Sequence, residues 1–135
     1  MQANDVYALA LSFLSEKTQQ NPLGDFSLNW LNLLLAEALP YENSLREARG
    51  EQALEQPPVL TDYQQEVPYS ERIVRIALPY GLAEFMFCDD GDLYQAEKYR
   101  QRYVSALKEA QKYIICEVED VYAGETEETG GELDG

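Results

Sequence analysis

Apolar residues return at helical spacing over most of this chain, in blocks separated by proline, glycine and acidic punctuation. The first block, Val6, Leu9, Ala10, Phe13 and Leu14, predicts a helix capped by Asn4 or Asp5 and running to about Thr18. Asn21-Pro22 and Gly24-Asp25 then signal a turn, and Ser27 offers the N-cap of a second helix. Leu28, Leu31, Leu34, Leu35, Ala38 and Leu39 line one face of that helix with Trp30 beside them, which predicts a central position in the fold. Pro40 ends or kinks it, because proline lacks an N–H and crowds the carbonyl four residues back. Residues 41–49 then read as a weaker, more exposed turn or two before Gly50.

Residues 51–69 are polar and contain Pro57, Pro58 and Pro68, the pattern of a long extended connection. Within it, Gln56-Pro57-Pro58-Val59-Leu60 suits a polyproline or short edge-strand conformation. A loop this long inside a compact domain is uncommon and usually functional or mobile. Ser70 and Glu71 open a third helix with Ile73, Val74, Ala77 and Leu78 turned inward. Its continuation over 76–87 reads as buried helix, yet holds Pro79 and Gly81 two residues apart. Glycine in a helix interior costs about 1 kcal/mol relative to alanine, so a helix keeping both residues bends or packs closely there. Asp89-Asp90-Gly91-Asp92 stops the run, and 93–121 carries the longest helical pattern. Ala96, Tyr99, Tyr103, Ala106, Ala110 and Tyr113 form a heptad-like seam along it. Residues 124–135 are glycine, acid and threonine, a composition that is disordered in isolation. The expected architecture is all-α. One domain over 1–123 is a small bundle of about four helices with one long C-terminal helix and a long proline-containing loop, followed by a flexible acidic tail over 124–135.

At 135 residues the chain is long enough for one domain with a real core. Ten Lys and Arg against 25 Asp and Glu give a net charge of −15, which opposes non-specific nucleic-acid binding and docking on anionic lipid. The charge is uneven: Glu117, Glu119, Asp120, Glu125, Glu127, Glu128, Glu132 and Asp134 crowd the C-terminal end with no basic residue among them. Cys88 and Cys116 stand 28 residues apart. A hairpin of two antiparallel helices turning near Gly91 separates them by roughly 30 Å, too far for a disulfide, and unpaired cysteines fit a reducing cytoplasm. No basic segment precedes the N-terminal apolar residues and no apolar run approaches about 18 residues, so neither a signal peptide nor a membrane span is expected.

The chain has no histidine, which removes the usual His/Cys zinc sites and histidine-activated nucleophiles. Asp89, Asp90 and Asp92 have cation-binding composition but lack the EF-hand pattern and its closing glutamate. A structural role accounts for them better, with Gly91 closing one helix and Asp92 capping the next. Ser12 and Ser15 have no activating neighbour, and no nucleophile, metal site or phosphate loop can be assembled, so no enzyme, metal or cofactor is expected. Ten tyrosines against one tryptophan bear on partners: Tyr94, Tyr99, Tyr103 and Tyr113 suit either core packing or subunit contact. Lys98, Arg100, Arg102, Lys108 and Lys112 interleave with them, but Glu97 and Glu109 on the same helix favour a solvated or subunit-facing surface over a nucleic-acid stripe.

The acidic connection ending in Val67-Pro68, the block Leu78-Pro79-Tyr80-Gly81-Leu82-Ala83, the stop at Asp89 to Asp92 and a helix bearing Ala96, Tyr99 and Tyr103 resemble a group of small tailed-phage and prophage proteins. These are virion proteins of the head-to-tail connector, adaptor or neck type. The resemblance covers residues 4–122 in layout and 68–103 in recognisable residues. It implies an all-α structural protein that assembles as a homo-oligomeric ring between the portal protein and a tail-side neck protein. DNA would pass through without specific binding, and the protein would be located in the virion, and in the host bacterial cytoplasm during assembly. On that reading Tyr94, Tyr99, Arg100 and Tyr103 supply ring contacts, Pro57, Pro58, Val59 and Leu60 reach the portal or tail, and Pro79 and Gly81 bend the helix. The alternative is an acidic inhibitor that mimics DNA, or another protein-binding helical module.

Overall fold

A computed structural model describes residues 1–14 and 25–112. They form a small all-α bundle of four helices, with no strand among the described residues. Helix α1 is Ala3–Ser12 and α2 is Asp25–Ala48. Helix α3 opens at residue 71, passes through a π-helical turn at Ile73–Ala77 and continues as Leu78–Asp89; α4 covers 93–112. The expected acidic tail over 124–135, the extension of the last helix to 121, and with it Tyr113 and Cys116, lie outside the described residues.

Helix α3 lies at the centre beside α2, packed against both α1 and α2. Ile73, Val74, Ala77, Leu78, Pro79, Gly81, Leu82, Ala83 and Met86 are all buried, so the middle of α3 is covered on most of its circumference. The π-helical turn stands directly before Pro79: the Leu78 N–H reaches back five residues to the Ile73 carbonyl. The widened turn relieves the crowding that a proline ring imposes on the carbonyl four residues behind it. Two residues on, a Cβ built on Gly81 would lie 2.7 Å from Leu34 Cδ2 and 3.0 Å from Tyr103 Cδ1. Gly81 is therefore where α2, α3 and α4 approach most tightly, and the missing side chain is what lets them meet.

The helix boundaries depart from the local signals in four places. Gln2, not Asn4 or Asp5, is the cap residue of α1, and Asp5 acts from inside the first turn by accepting the Gln2 N–H at 3.1 Å. The free N–H groups of Ala3 and Asn4 donate to the carbonyls of Gln65 (2.9 Å) and Tyr63 (2.7 Å), so a distant segment caps this helix. At its other end α1 stops at Ser12, short of Thr18, where Phe13 stacks on Tyr80 with ring centroids 5.2 Å apart. Ser27 lies within α2 rather than capping it, buried and hydrogen-bonded to the Tyr63 hydroxyl.

The fourth departure is at Pro40, where α2 continues without a break to Ala48. The proline costs the helix about 3 kcal/mol. Full burial of a leucine returns roughly 1.5–3 kcal/mol, and α2 buries Leu35 and Ala38 before Pro40 and Leu45 after it. The turns beyond Pro40 are not an exposed extension. Glu42 is fully buried there, accepting from Arg46 Nε at 2.8 Å and from the Ser70 N–H at 2.6 Å. Its carboxylate thus sits at the start of α3, where helix N–H groups favour negative charge.

Residues 51–69 run as an extended strap along α2 in the opposite direction. Two asparagines hold it. Leu60 donates its N–H to Asn32 Oδ1 (2.8 Å) and accepts from Asn32 Nδ2 (2.9 Å); Leu54 makes the same pair of bonds with Asn43 (2.7 and 2.9 Å). Eleven helical residues between the asparagines rise about 16 Å and return to the same face. The six residue steps from Leu54 to Leu60 would span at most about 19 Å in a polyproline conformation, enough to join the two clamps. Arg46 then holds the Pro68 carbonyl at 2.9 Å, and the Tyr69 hydroxyl donates to the carbonyl of Leu35.

Candidate interaction surface

The core stripe of α2, Ser27, Leu31, Leu34 and Ala38, fixes the rotation of the helix. A second stripe one residue back, Phe26, Trp30 and Leu33, consequently lies on its flank. Phe26 is 68% exposed and Leu33 57%, while Trp30 is half-buried because its ring stacks on Phe85 of α3, centroids 5.9 Å apart and planes 24° apart. The Phe26 and Trp30 rings are 6.5 Å apart. These four side chains make a continuous aromatic and aliphatic face.

One turn beyond Leu33, Arg100 of α4 grips Glu37 with two bonds (2.8 and 3.1 Å) and reaches Glu84 of α3 at 3.4 Å. This ion-paired group ties the three helices together. Arg100 meets Glu37 and, further along, Gln111 meets Ser44 at 2.8 Å, so α2 and α4 run in the same direction. Counting two turns back from each member of the Arg100–Glu37 pair reaches Leu93 and Trp30, which stand at about the same height. Leu93 and Tyr94 are 67% and 78% exposed, and Asp89, Asp90 and Asp92 are exposed beside them. The aromatic face therefore shares one end of the bundle with a strongly acidic border.

Burial raises the Glu84 carboxyl above its usual range, against the pull of Arg100, and Glu37 and Glu97 push in the same upward direction. Arg100 is held even more firmly in its charged form, chiefly by its hydrogen bonds to Glu37. Burial likewise raises the Tyr103 hydroxyl, with Glu37 adding to it. Tyr103 and Tyr69 are structural hydroxyls that donate to the carbonyls of Leu34 and Leu35.

The residues expected to contact neighbours divide sharply. Tyr99 and Tyr103 face the core: Tyr103 packs beside Gly81, and Tyr99 stacks on Phe87 at 5.3 Å under the guanidinium of Arg102. The seam of Ala96, Tyr99, Tyr103 and Ala110 is thus the inward side of α4. Tyr94 faces solvent, and Arg100 is engaged within the subunit. In the strap, Leu60 is buried beneath the Asn32 clamp and Pro57 and Pro58 are half-buried, while Val59 is 69% exposed. Pro79 and Gly81 are buried at the junction of the helices.

At the acidic stop, Gly91 has φ 82°, its N–H donates to Cys88 and that of Asp92 to Phe87, which closes α3 in a Schellman motif; Asp92 then accepts from the Gln95 N–H at 3.1 Å. Among the described residues, no three His, Cys, Asp or Glu side chains are grouped so as to hold a metal ion. Lys98 and Arg102 line an open groove of about 450 Å³ against Tyr80, on a different side of α4 from Arg100. Among the described residues no helix is long and apolar enough to cross a membrane. The Phe26–Trp30–Leu33–Phe85 face is not apparent from the sequence taken as one core stripe per helix. Its signal is that α2 carries two adjacent apolar stripes where burial on one side uses one. No protein-family model, no curated protein and no solved structure matches the chain.

Proposed function

We propose that this chain is a structural subunit that works by binding other proteins. Its place is the neck of a tailed-phage or prophage virion, in a ring between the portal protein and a tail-side neck protein, with assembly in the bacterial cytoplasm. The observation that carries the protein-binding part is the aromatic face formed by exposed Phe26 and Leu33 with half-buried Trp30 and Phe85, of a composition favoured at interfaces. The likeness of residues 68–103 to connector proteins supports the neck assignment. Ring contacts fall to the outward residues Tyr94 and Val59 rather than to Tyr99 and Tyr103.

The test is to mix the purified protein with the portal protein of the same genome and follow mass by light scattering and shape by negative-stain imaging. A ring of this protein on the portal is the expected result. A chain that binds neither portal nor tail-side protein at micromolar concentrations refutes the neck assignment. The DNA-mimic alternative needs carboxylates displayed freely on structured faces. Glu37, Glu42, Glu71 and Glu84 are instead paired with arginines, which weighs against it.

A further inference from the structure

We infer that the face formed by Phe26, Trp30, Leu33 and Phe85 docks an amphipathic helix of another protein whose apolar stripe is flanked by lysine and arginine. This rests on the protein-binding reading above and adds to it the surface and the chemistry of the partner.

Size and charge select that occupant. From their exposures, the four side chains offer on the order of 300–400 Å² of apolar surface, since a whole aromatic side chain covers about 150–250 Å². That suits the stripe of one helix presenting anchors at i, i+3 or i+4, and i+7, and falls well short of the roughly 800 Å² per partner of a stable dimer. Around it stand Glu37, Glu84 and Glu97 on the ion-paired side, and Asp89, Asp90 and Asp92 at the hairpin turn. Arg100 is the cation set among the three glutamates, and its hydrogen bonds are already given to Glu37 and Glu84. A second copy docked through this same face in a two-fold pair would bring the same acids face to face, and the segment over 124–135 is acidic as well. A partner with basic flanks meets opposite charge on the side of Glu37, Glu84 and Glu97 and at the Asp89 to Asp92 turn.

Trp30 is the only tryptophan of the chain, so its emission reports on this face directly. The probe is a synthetic helical peptide of about five turns with leucine and phenylalanine on one stripe and lysine elsewhere; its partner is a scrambled peptide of identical composition and no stripe. The striped peptide should shift Trp30 emission to the blue and bind at least tenfold more tightly than the scrambled one. It should lose at least tenfold with Leu33→Asp or Phe26→Ser, whose exposed positions leave the helical circular dichroism unchanged. Equal binding of the two peptides, or full binding to Leu33→Asp, overturns the inference. So does a concentration-dependent blue shift with doubled mass in the protein alone, which assigns the face to a second copy. A rise in acrylamide quenching of Trp30 on removal of 124–135 also overturns it, by assigning the face to the chain's own end. Portal binding separates this from the neck assignment. If portal binds wild type and Leu33→Asp alike, the neck assignment stands and this surface falls; if the striped peptide behaves as expected and portal does not bind, the reverse holds.

Discussion

Replacing Gly81 by alanine sets two opposed effects of known size against each other. As a residue in the interior of α3, alanine is favoured over glycine by about 1 kcal/mol. Against this, the new methyl would lie 2.7 Å from one Leu34 methyl, 3.1 Å from the other and 3.0 Å from the Tyr103 ring. To restore ordinary contact Leu34 must retreat by roughly 0.7 Å and Tyr103 by about half that, in an interior packed at crystal-like density. Neither is free to do so: both are buried, and the Tyr103 hydroxyl is bonded to the Leu34 carbonyl at 3.3 Å. Overpacking of this kind costs about 1–3 kcal/mol, and with both neighbours held the upper half of that range applies, leaving Gly81→Ala net destabilising by about 1–2 kcal/mol. The assay is urea unfolding followed by Trp30 fluorescence, on Gly81→Ala, Leu34→Ala and the double variant. Leu34→Ala alone should cost about 2–5 kcal/mol. Because it vacates the space the new methyl needs, the double variant should be more stable than additivity allows by about 1–2 kcal/mol. A Gly81→Ala protein about 1 kcal/mol more stable than wild type, or strict additivity in the double variant, would refute the close-approach explanation of this glycine.

Glu42→Ala should destabilise by about 3–5 kcal/mol, since it strands the Arg46 guanidinium and the Ser70 N–H beside a buried gap; chemical denaturation reads it, and a loss under 1 kcal/mol contradicts the role given to this carboxylate. Asn32→Ala removes both bonds to Leu60, and hydrogen exchange should speed up at the Leu60 amide, corresponding to about 1–3 kcal/mol of lost protection, while the Leu54 amide under Asn43 changes less. Equal acceleration at both sites would mean that the strap opens as one unit. The carboxyl of Glu84 binds its proton more tightly in the folded chain than in the unfolded one, so its contribution to stability falls as pH rises from the ordinary carboxylate range through its raised value. Glu84→Gln should flatten that decline and leave neutral-pH stability equal or higher, because Arg100 keeps its two bonds to Glu37; a clear loss at pH 7 would show that the Glu84–Arg100 contact outweighs the cost of burying the carboxylate.

Where a signal and its partner lie close in the chain, the sequence was readable. Asp89 to Asp92 close α3 and open α4 through bonds that span only a few residues, and Ile73, Val74, Ala77 and Leu78 face inward as their spacing requires. The misread features all depend on residues far away. The N-terminus of α1 is set by carbonyls at 63 and 65, which no local cap rule can see. Pro40 breaks nothing because Glu42 and Leu45 are anchored in the interior, and a glutamate four residues before an arginine reads equally well as a surface pair. Tyr99 and Tyr103 suit interface and core alike by composition; packing against Phe87 and Gly81 decides it. The aromatic face is not legible because Trp30 and Phe85 lie on different helices, and their stacking depends on how α2 is rotated against α3.

The strap has a consequence for the order in which the protein is made. Helix α1 leaves the ribosome before the segment that caps it, because its opening N–H groups end on carbonyls about sixty residues later. Ten residues are too few to hold a helix in water unaided. At a synthesis rate of about 5–20 residues per second, the nascent α1 waits some 3–12 s before its cap emerges. During that interval Val6 and Ala10, which finish fully covered, face water, and a helix made early is among the last to become secure.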